Sequence, residues 1–172
     1  MSDISKQRVI AALERSHVDK VPHFEWSIDK KIINALMPGA NHDEFCYAFT
    51  DAIIVDFNYE KTDIGNNRVI NEWGIIHEYS EEAHGYPVDG AIHNFEELEA
   101  YTPPAADKPG RCDDIERALE KYGDEKAVLL HMNDVWSIPS RMMPFEDFLM
   151  QIIEEPEFVT ELLRMTVTHR YF

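Results

Sequence analysis

Two short apolar runs constrain the fold most strongly: "AIIVDF" at residues 52–57 and "AVLLHM" at residues 127–132. Each is rich in strand-forming residues and nearly all apolar, which is typical of a strand buried on both faces of a parallel sheet. A third segment, "VPHFEW" at residues 21–26, is also predicted to be a strand. Because helical patterns separate the three strands, the sequence indicates an α/β fold with a parallel sheet.

Helix signals fill most of the remaining chain. Residues 1–20 predict an N-terminal helix, with Val9, Ile10 and Leu13 on one face. Asn94 is predicted to cap a helix over "NFEELEAY", with Glu97 in a capping-box position. Further helices are predicted over "DKKIINALMPG", "HDEFCYAF", "CDDIERALEKYG", residues 144–153 and residues from 156 onward. Residues 60–93 carry turn signals and alternating segments instead, which predict a β-hairpin-like excursion after the second strand.

The charge balance excludes several partners. The 172 residues predict a single domain with a substantial core, and the net charge of −17 repels nucleic-acid backbones and anionic membranes. No apolar stretch approaches the roughly 20 residues of a membrane span, and the first ten residues lack the pattern of a signal peptide. Cys46 and Cys112 lie far apart. They predict two reduced thiols in a cytoplasmic protein, with a disulfide or a metal role as the minor alternative.

Polar side chains follow the apolar part of each predicted strand. Because side chains alternate across a strand, His23 and Glu25 share one face, as do Asp56 with Asn58 and His131 with Asn133. In α/β folds the carboxyl ends of the strands hold the binding site. A substrate-binding site is therefore predicted, lined by the residues His23, Glu25, Asn58, His131, Asn133 and Arg141. The alternative is that these are ordinary polar strand exits.

Single residues of this set have further interpretations. Arg141 is a candidate anchor for a substrate carboxylate, with a surface ion pair as the alternative. His23, Glu25 and His131 could hold a divalent metal, although no fixed spacing supports that set. Three other histidines, His77, His84 and His93, fall in the excursion and are interpreted as surface residues. The tryptophans of "NEWG" and "DVWS" are interpreted as packing residues.

Five segments together resemble the amino-terminal half of the uroporphyrinogen decarboxylase superfamily. They are "RVIAALERSHVDKVP", "DAIIVDF", "NEWG", "GYPVDGAIHNFEELEAY" and "AVLLHMNDVWSIPSRMMPFEDFLMQIIEEPEFVTELL", in the order in which the family carries them. The resemblance implies a (β/α)8 TIM barrel. It also implies one of two activities, the decarboxylation of porphyrinogens in tetrapyrrole synthesis or corrinoid-dependent (cobalamin-type) methyl transfer.

Departures from the decarboxylase pattern favour the methyltransferase branch. The stretch after the first predicted strand, "FEWSIDKK", lacks the arginines of the decarboxylases. Their pyrrole-binding aspartate aligns with Asn58, whose neutral amide offers no carboxylate to pyrrole N–H groups, and their tyrosine aligns with Arg141. The resemblance therefore implies a small-molecule substrate or a corrinoid protein as the partner.

The chain is shorter than the barrel that the resemblance implies. A complete barrel takes about 250 residues. The chain is therefore expected to form roughly the first three βα units, a fragment without activity of its own and without catalytic residues that can be assigned. The zinc site of the methyltransferases lies in the other half, so no cofactor is expected on this chain alone; zinc and a corrinoid protein are implied for the complete enzyme. The alternative is a non-catalytic half-barrel that binds a second copy or a second-half partner through its open sheet edges.

Overall fold

The computed structural model of the protein describes residues 5–80 and 85–171 and has a mixed α/β fold. The chain divides into two compact units, one of residues 1–58 and 112–132 and the other of residues 59–111 and 133–172. The prediction of a single domain over residues 1–172 stays a prediction. Within the described residues, no helix is long and apolar enough to cross a membrane.

A parallel pair of strands forms the centre of the first unit. The strands are β1 (Ala52–Asp56) and β6 (Ala127–His131), and they pair in register from Ala52 opposite Ala127 to Asp56 opposite His131. The helices of this unit are α1 (Ser5–Leu13), α2 (Lys30–Leu36), α3 (His42–Phe49) and α5 (Asp113–Tyr122). The prediction of parallel strands is confirmed for this pair.

The two faces of the pair pack against different helices. On one face, Ile53 of β1 packs with Ala118 and Tyr122 of α5. On the other face, Ala52 and Ala127 pack with Val9 of α1. Because side chains alternate along a strand, Asp56 and His131 lie on the α1 face, at its carboxyl end.

The strand predicted over residues 21–26 is wrong, because the structure has no strand there. The backbone of the segment is hydrogen-bonded just before β1 at His23, whose carbonyl accepts from the Asp51 backbone N–H at 2.6 Å. The His23 backbone N–H donates instead to the Asp51 carboxylate at 2.9 Å, so it is unavailable for a ladder bond. Pro22 has no N–H to donate, and Val21 is 84% exposed, as expected outside a sheet.

The second unit contains a four-stranded antiparallel sheet in the order β2-β3-β4-β5. Its strands are β2 (Lys61–Gly65), β3 (Arg68–Asn71), β4 (Ile76–Glu78) and β5 (Tyr86–Asp89). The turn between β2 and β3 places Asn66 and Asn67 at φ values of 54° and 58°. Two successive positive φ values are typical of a type I′ hairpin turn, where asparagine is favoured. The predicted hairpin-like excursion is confirmed, and it forms a sheet of four strands.

The "NEWG" segment folds the excursion and does not supply a site. The Asn71 side chain accepts from the backbone N–H groups of Trp73 and Ile75, each at 3.0 Å. Trp73 is buried in the core of this unit, which confirms its interpretation as a packing residue. The buried carboxylate of Glu72 pairs with Arg111. Gly74 has a φ of 76° and lies so close to Ala91 that a Cβ there would be 2.7 Å from its side chain.

Four helical segments complete the second unit. They are α4 (Phe95–Ala100), a short 3₁₀-helix (Pro139–Arg141), α6 (Phe145–Glu154) and α7 (Pro156–Tyr171). The three α-helices confirm the predictions, and the 3₁₀-helix was not predicted. Asn94 caps α4 as predicted, by accepting from Glu97 N–H at 3.0 Å. The Glu97 carboxylate accepts from the His93 backbone N–H at 2.6 Å and not from the Asn94 backbone N–H, so the capping box is only half formed. The core of the second unit includes the fully buried side chains of Ile92, Met142, Phe148 and Leu162.

Candidate functional site

An aspartate–histidine pair lies at the carboxyl end of the parallel strands. Asp56 and His131 are opposite each other in the β1–β6 register, and His131 Nδ1 is 2.6 Å from Asp56 Oδ1. Ionised carboxylates only accept hydrogen bonds, so Nδ1 carries the proton of this contact. Among the described residues, His131 Nε2 makes no hydrogen bond. The ring is thus oriented by Asp56 while its second nitrogen stays available.

Trp26 completes this cluster from the loop before α2. Its indole Nε1 lies 3.4 Å from Asp56 Oδ2, and its ring centroid lies 4.5 Å from that of His131. The indole ring therefore restricts the imidazole from one side while the Asp56 carboxylate holds one edge. The His131 side chain is 35% exposed and that of Asp56 is 53% exposed, so the cluster is open to a ligand.

His23 and Glu25, two residues of the predicted site, form a second pair in the same unit. His23 Nε2 lies 3.0 Å from Glu25 Oε1, and both side chains are exposed. Asn58 follows β1 and is partly buried. The described residues contain no group of three or more His, Cys, Asp or Glu side chains that could hold a metal ion, so His23, Glu25 and His131 do not form the metal set considered above.

Asn133 and Arg141, the other two predicted residues, belong to the second unit. Arg141 Nη1 donates to Asn133 Oδ1 over a long 3.4 Å, and both residues are partly buried. Burial lowers the pKa of Arg141, although the charge of Asp134 raises it in part. A surface ion pair, the alternative for Arg141, is not found, because no carboxylate of the described residues lies within 4.0 Å of it.

Three residues of these clusters were outside the predicted set. Asp56 could have been included, because it shares a strand face with Asn58 and precedes it by two residues. Trp26 comes to His131 through a loop contact that no local pattern encodes. His77 on β4 was interpreted as a surface residue but is partly buried, and His84 lies outside the described residues. Burial, followed by the charge of Arg141, lowers the pKa of His77.

Comparison of the chain with protein-family models, with curated proteins and with solved structures gives no match.

Proposed function

We propose that the chain is the amino-terminal part of a uroporphyrinogen decarboxylase-like (β/α)8 barrel, from a cytoplasmic corrinoid-linked methyltransferase-type enzyme, and that it has no turnover alone. The observation that carries this proposal is the hydrogen-bonded pair of Asp56 and His131 at the carboxyl ends of two parallel strands. Active sites of parallel α/β barrels lie at that end of the strands.

The covering of the two strand faces supports the barrel part of the proposal. In a barrel, helices cover the outer face of each strand, and the inner face carries the site residues near its mouth. Here α5 covers the face of Ile53, and the opposite face turns polar at Asp56 and His131. Val9 of α1 packs on the amino-terminal end of that second face, at Ala52 and Ala127. This distribution matches strands with one outer and one inner face.

The Asp56–His131 pair gives the chain a defined chemical capability. A histidine whose Nδ1 proton is held by a carboxylate accepts a proton or a hydrogen bond at Nε2, in an orientation that the carboxylate fixes. It would position a polar group of a small-molecule substrate or of a corrinoid protein, with His23, Glu25 and Asn58 as further contacts. A zinc ion bound in the complete enzyme would lower the pKa of a thiol, and the described residues of this chain form no site for it.

The test is binding of methylcobalamin to the chain, measured by isothermal titration calorimetry. We expect saturable binding that His131→Ala weakens about tenfold, because the oriented imidazole is lost. His17→Ala is the matched control, because His17 is exposed and in the same unit. Binding that is unchanged in His131→Ala contradicts the proposed site, and methyl transfer to a thiol by the chain alone contradicts the proposed inactivity.

A non-catalytic half-barrel is the second candidate, favoured by the size of the parallel sheet. Among the described residues, β1 and β6 each have only the other as a strand neighbour. Parallel strands ordinarily lie inside larger sheets, and unpaired edges associate with other strands. The occupant would be a second copy of the chain or a second half-barrel. Light scattering after size exclusion tests for the second copy.

A porphyrinogen decarboxylase is the third candidate. The partly buried amide of Asn58 stands where the resemblance places the pyrrole-binding carboxylate, which disfavours this activity. Saturable binding of a porphyrinogen that Asn58→Asp strengthens would support it. The absence of such binding would remove it.

A further inference from the structure

Arg141 is a partly buried cation that lacks an acidic partner. Within the described part of the chain, the one hydrogen bond of its guanidinium goes to Asn133 Oδ1 at 3.4 Å, which is long for a charged donor. No described carboxylate lies within salt-bridge distance of it. A guanidinium has five N–H donors, and burying a charge without partners is costly. The guanidinium therefore has several donors that no described protein group accepts, and a negatively charged ligand would compensate its charge.

Arg141 lacks a carboxylate partner because of its position, and not because the chain has few acidic residues. The chain has 33 acidic residues against 16 basic ones, so carboxylates are abundant. Other arginines use them, in the pairs Arg8–Asp19, Arg8–Asp51, Arg68–Glu78, Arg111–Glu72, Arg117–Asp114 and Arg164–Glu161. Among the described arginines, Arg15 shares the lack of an ion pair, but it is exposed and solvated by water.

Asp134, the acid whose charge raises the pKa of Arg141 in part, makes its hydrogen bonds elsewhere. Its Oδ1 accepts from Trp136 N–H at 3.0 Å and from the N–H and O–H groups of Ser137, each at 2.7 Å. The hydrogen bond from the Ser137 hydroxyl, followed by those from the backbone, lowers the pKa of Asp134. The carboxylate thus stays ionised and holds the turn that leads to Arg141.

The backbone around Arg141 is anchored in the core of its unit. Arg141 ends the 3₁₀-helix, and its neighbours Ser140 and Met142 are buried. Met142 O accepts from Ile92 N–H at 3.0 Å. Trp136 packs edge-on against the buried Phe148, with ring centroids 5.1 Å apart. The guanidinium therefore projects from a fixed backbone, which lowers the entropy cost of binding a ligand.

His77 supplies a neutral donor near this cation. It lies on β4, is partly buried, and pairs with Pro87 of β5, the strand that contacts the 3₁₀-helix. Burial and the charges of Arg141 and Lys61 lower its pKa, so the ring is neutral at pH 7 and donates one N–H. One cation beside a neutral histidine and an amide suits a ligand with a single negative charge.

We propose that Arg141 binds the carboxylate of a small organic acid, with Asn133 and His77 completing the site. The guanidinium fork matches the two oxygens of a carboxylate. The net charge of −17 disfavours dianions such as phosphate relative to a monoanion. The inference deepens the proposed function by naming a substrate class, and it rests on that function only in treating the bound acid as the substrate.

The test is a titration of the full chain with sodium acetate, followed by the NMR signals of the arginine Nε–H groups and of the histidine rings. We expect saturable shifts of Arg141 and His77, which Arg141→Gln abolishes and Arg141→Lys weakens about tenfold, because lysine lacks the planar fork. Arg164→Gln is the matched control, because Arg164 is an exposed arginine of the same unit paired with Glu161. Melting temperatures establish that each variant folds.

Three results overturn the proposal. They are acetate shifts that do not saturate, shifts that are unchanged in Arg141→Gln, and tighter binding of inorganic phosphate than of acetate. The methylcobalamin titration uses His131 and a different ligand. A failure here therefore leaves that experiment standing, and a failure there leaves the acetate site standing.

Discussion

Asp51 is the residue that does most to place the loop before α2 in the first unit. Its buried carboxylate pairs with Arg8 of α1 and accepts from the His23 backbone N–H at 2.9 Å. Burial, the largest influence, raises its pKa, but the hydrogen bonds from His23, Ser5 and Arg8 outweigh it and lower the pKa overall. One carboxylate thus connects α1, the loop and the start of β1, and it supports the position of the candidate site residue His23.

Removal of this carboxylate is expected to destabilise the chain strongly. Asp51→Ala removes the buried carboxylate that pairs with the Arg8 guanidinium, and breaking a buried pair costs about 3 kcal/mol. Urea denaturation followed by circular dichroism measures the change in the free energy of unfolding. Asp124→Ala is the control, because Asp124 is exposed and its removal is expected to cost less than about 0.5 kcal/mol. Equal effects of the two substitutions would contradict the assigned role.

His93 lies between two carboxylates at the start of α4. Its Nε2 is 2.8 Å from Asp89 Oδ1 and its Nδ1 is 3.0 Å from Glu97 Oε2. Burial, the largest influence, lowers the pKa of His93, but the two carboxylates outweigh it and raise the pKa above the ordinary 6.5. The bonds with His93 lower the pKa of Glu97, and they also lower that of Asp89, against the larger opposing effect of burial there.

These shifts predict a pH window for the stability that His93 contributes. A raised histidine pKa stabilises the fold below the unfolded value of 6.5, and the effect is lost as the pH rises through the folded pKa. Lowered carboxyl pKa values stabilise the fold above the unfolded values of 3.8 and 4.5, and that effect is lost as the pH falls. The loss of melting temperature in His93→Gln should therefore be largest at about pH 5 to 6 and shrink as the pH rises through the folded pKa of His93.

Differential scanning calorimetry across this pH range provides the measurement. His17→Gln serves as the control, because His17 is exposed and no bonded carboxylate is described for it. A difference between His93→Gln and the parent chain that stays constant from pH 5 to 9 would argue against the charged bridge.

At the scale of elements, the end of β5 packs directly on the backbone beside the 3₁₀-helix. A Cβ added to Gly90 would lie 2.3 Å from the carbonyl carbon and oxygen of Met142. Those atoms are backbone in a buried segment, so the contact is relieved only by a shift of one element against the other. Gly90 therefore fixes the distance between the antiparallel sheet and the segment that carries Arg141.

Gly90→Ala is expected to destabilise the chain by about 3 kcal/mol, at the upper end of the cost of overpacking. The comparison variant is Gly65→Ala, where the added Cβ meets no atom within 4 Å and only the φ of 82° is unfavourable. That strain costs about 1 kcal/mol. Urea denaturation of both variants measures the difference, and a Gly90→Ala cost no larger than that of Gly65→Ala would refute the close approach. The acetate site should weaken in parallel, because Arg141 moves with Met142.

Local patterns predicted the elements whose formation depends on their own residues. β1 and β6 followed from apolar runs, and the start of α4 followed from the capping side chain of Asn94. The strand prediction for residues 21–26 was wrong because the conformation of this segment depends on Asp51, 28 positions from His23. The Asp51 carboxylate accepts the His23 N–H that a strand would use. The strand register that brings Asp56 to His131 is likewise set between distant residues. The alternation of side chains along each strand predicted which face carries Asp56 and which carries His131. It predicted neither their pairing nor the contact with Trp26.

At the scale of the whole molecule, two properties act in opposite directions on association. Met132, which directly follows β6, is 43% exposed, and the parallel sheet has only two strands among the described residues. Both features favour the addition of a strand or an apolar surface at this edge. The net charge of −17 on every copy opposes self-association, and added salt screens that repulsion. A homodimer of this chain should therefore become more populated as the ionic strength rises.

Size-exclusion chromatography with light scattering tests this expectation at about 0.05 and 0.5 M salt, between which the screening length falls roughly threefold. The dimer fraction should increase with salt in the parent chain. At each salt concentration it should be lower in Met132→Glu than in the parent chain, because a carboxylate at the edge adds charge and removes apolar surface. Ile64→Glu is the control, because Ile64 is similarly exposed but lies on β2 of the second unit. A parent chain that stays monomeric at both salt concentrations would exclude a second copy as the occupant and leave a second half-barrel as the remaining candidate.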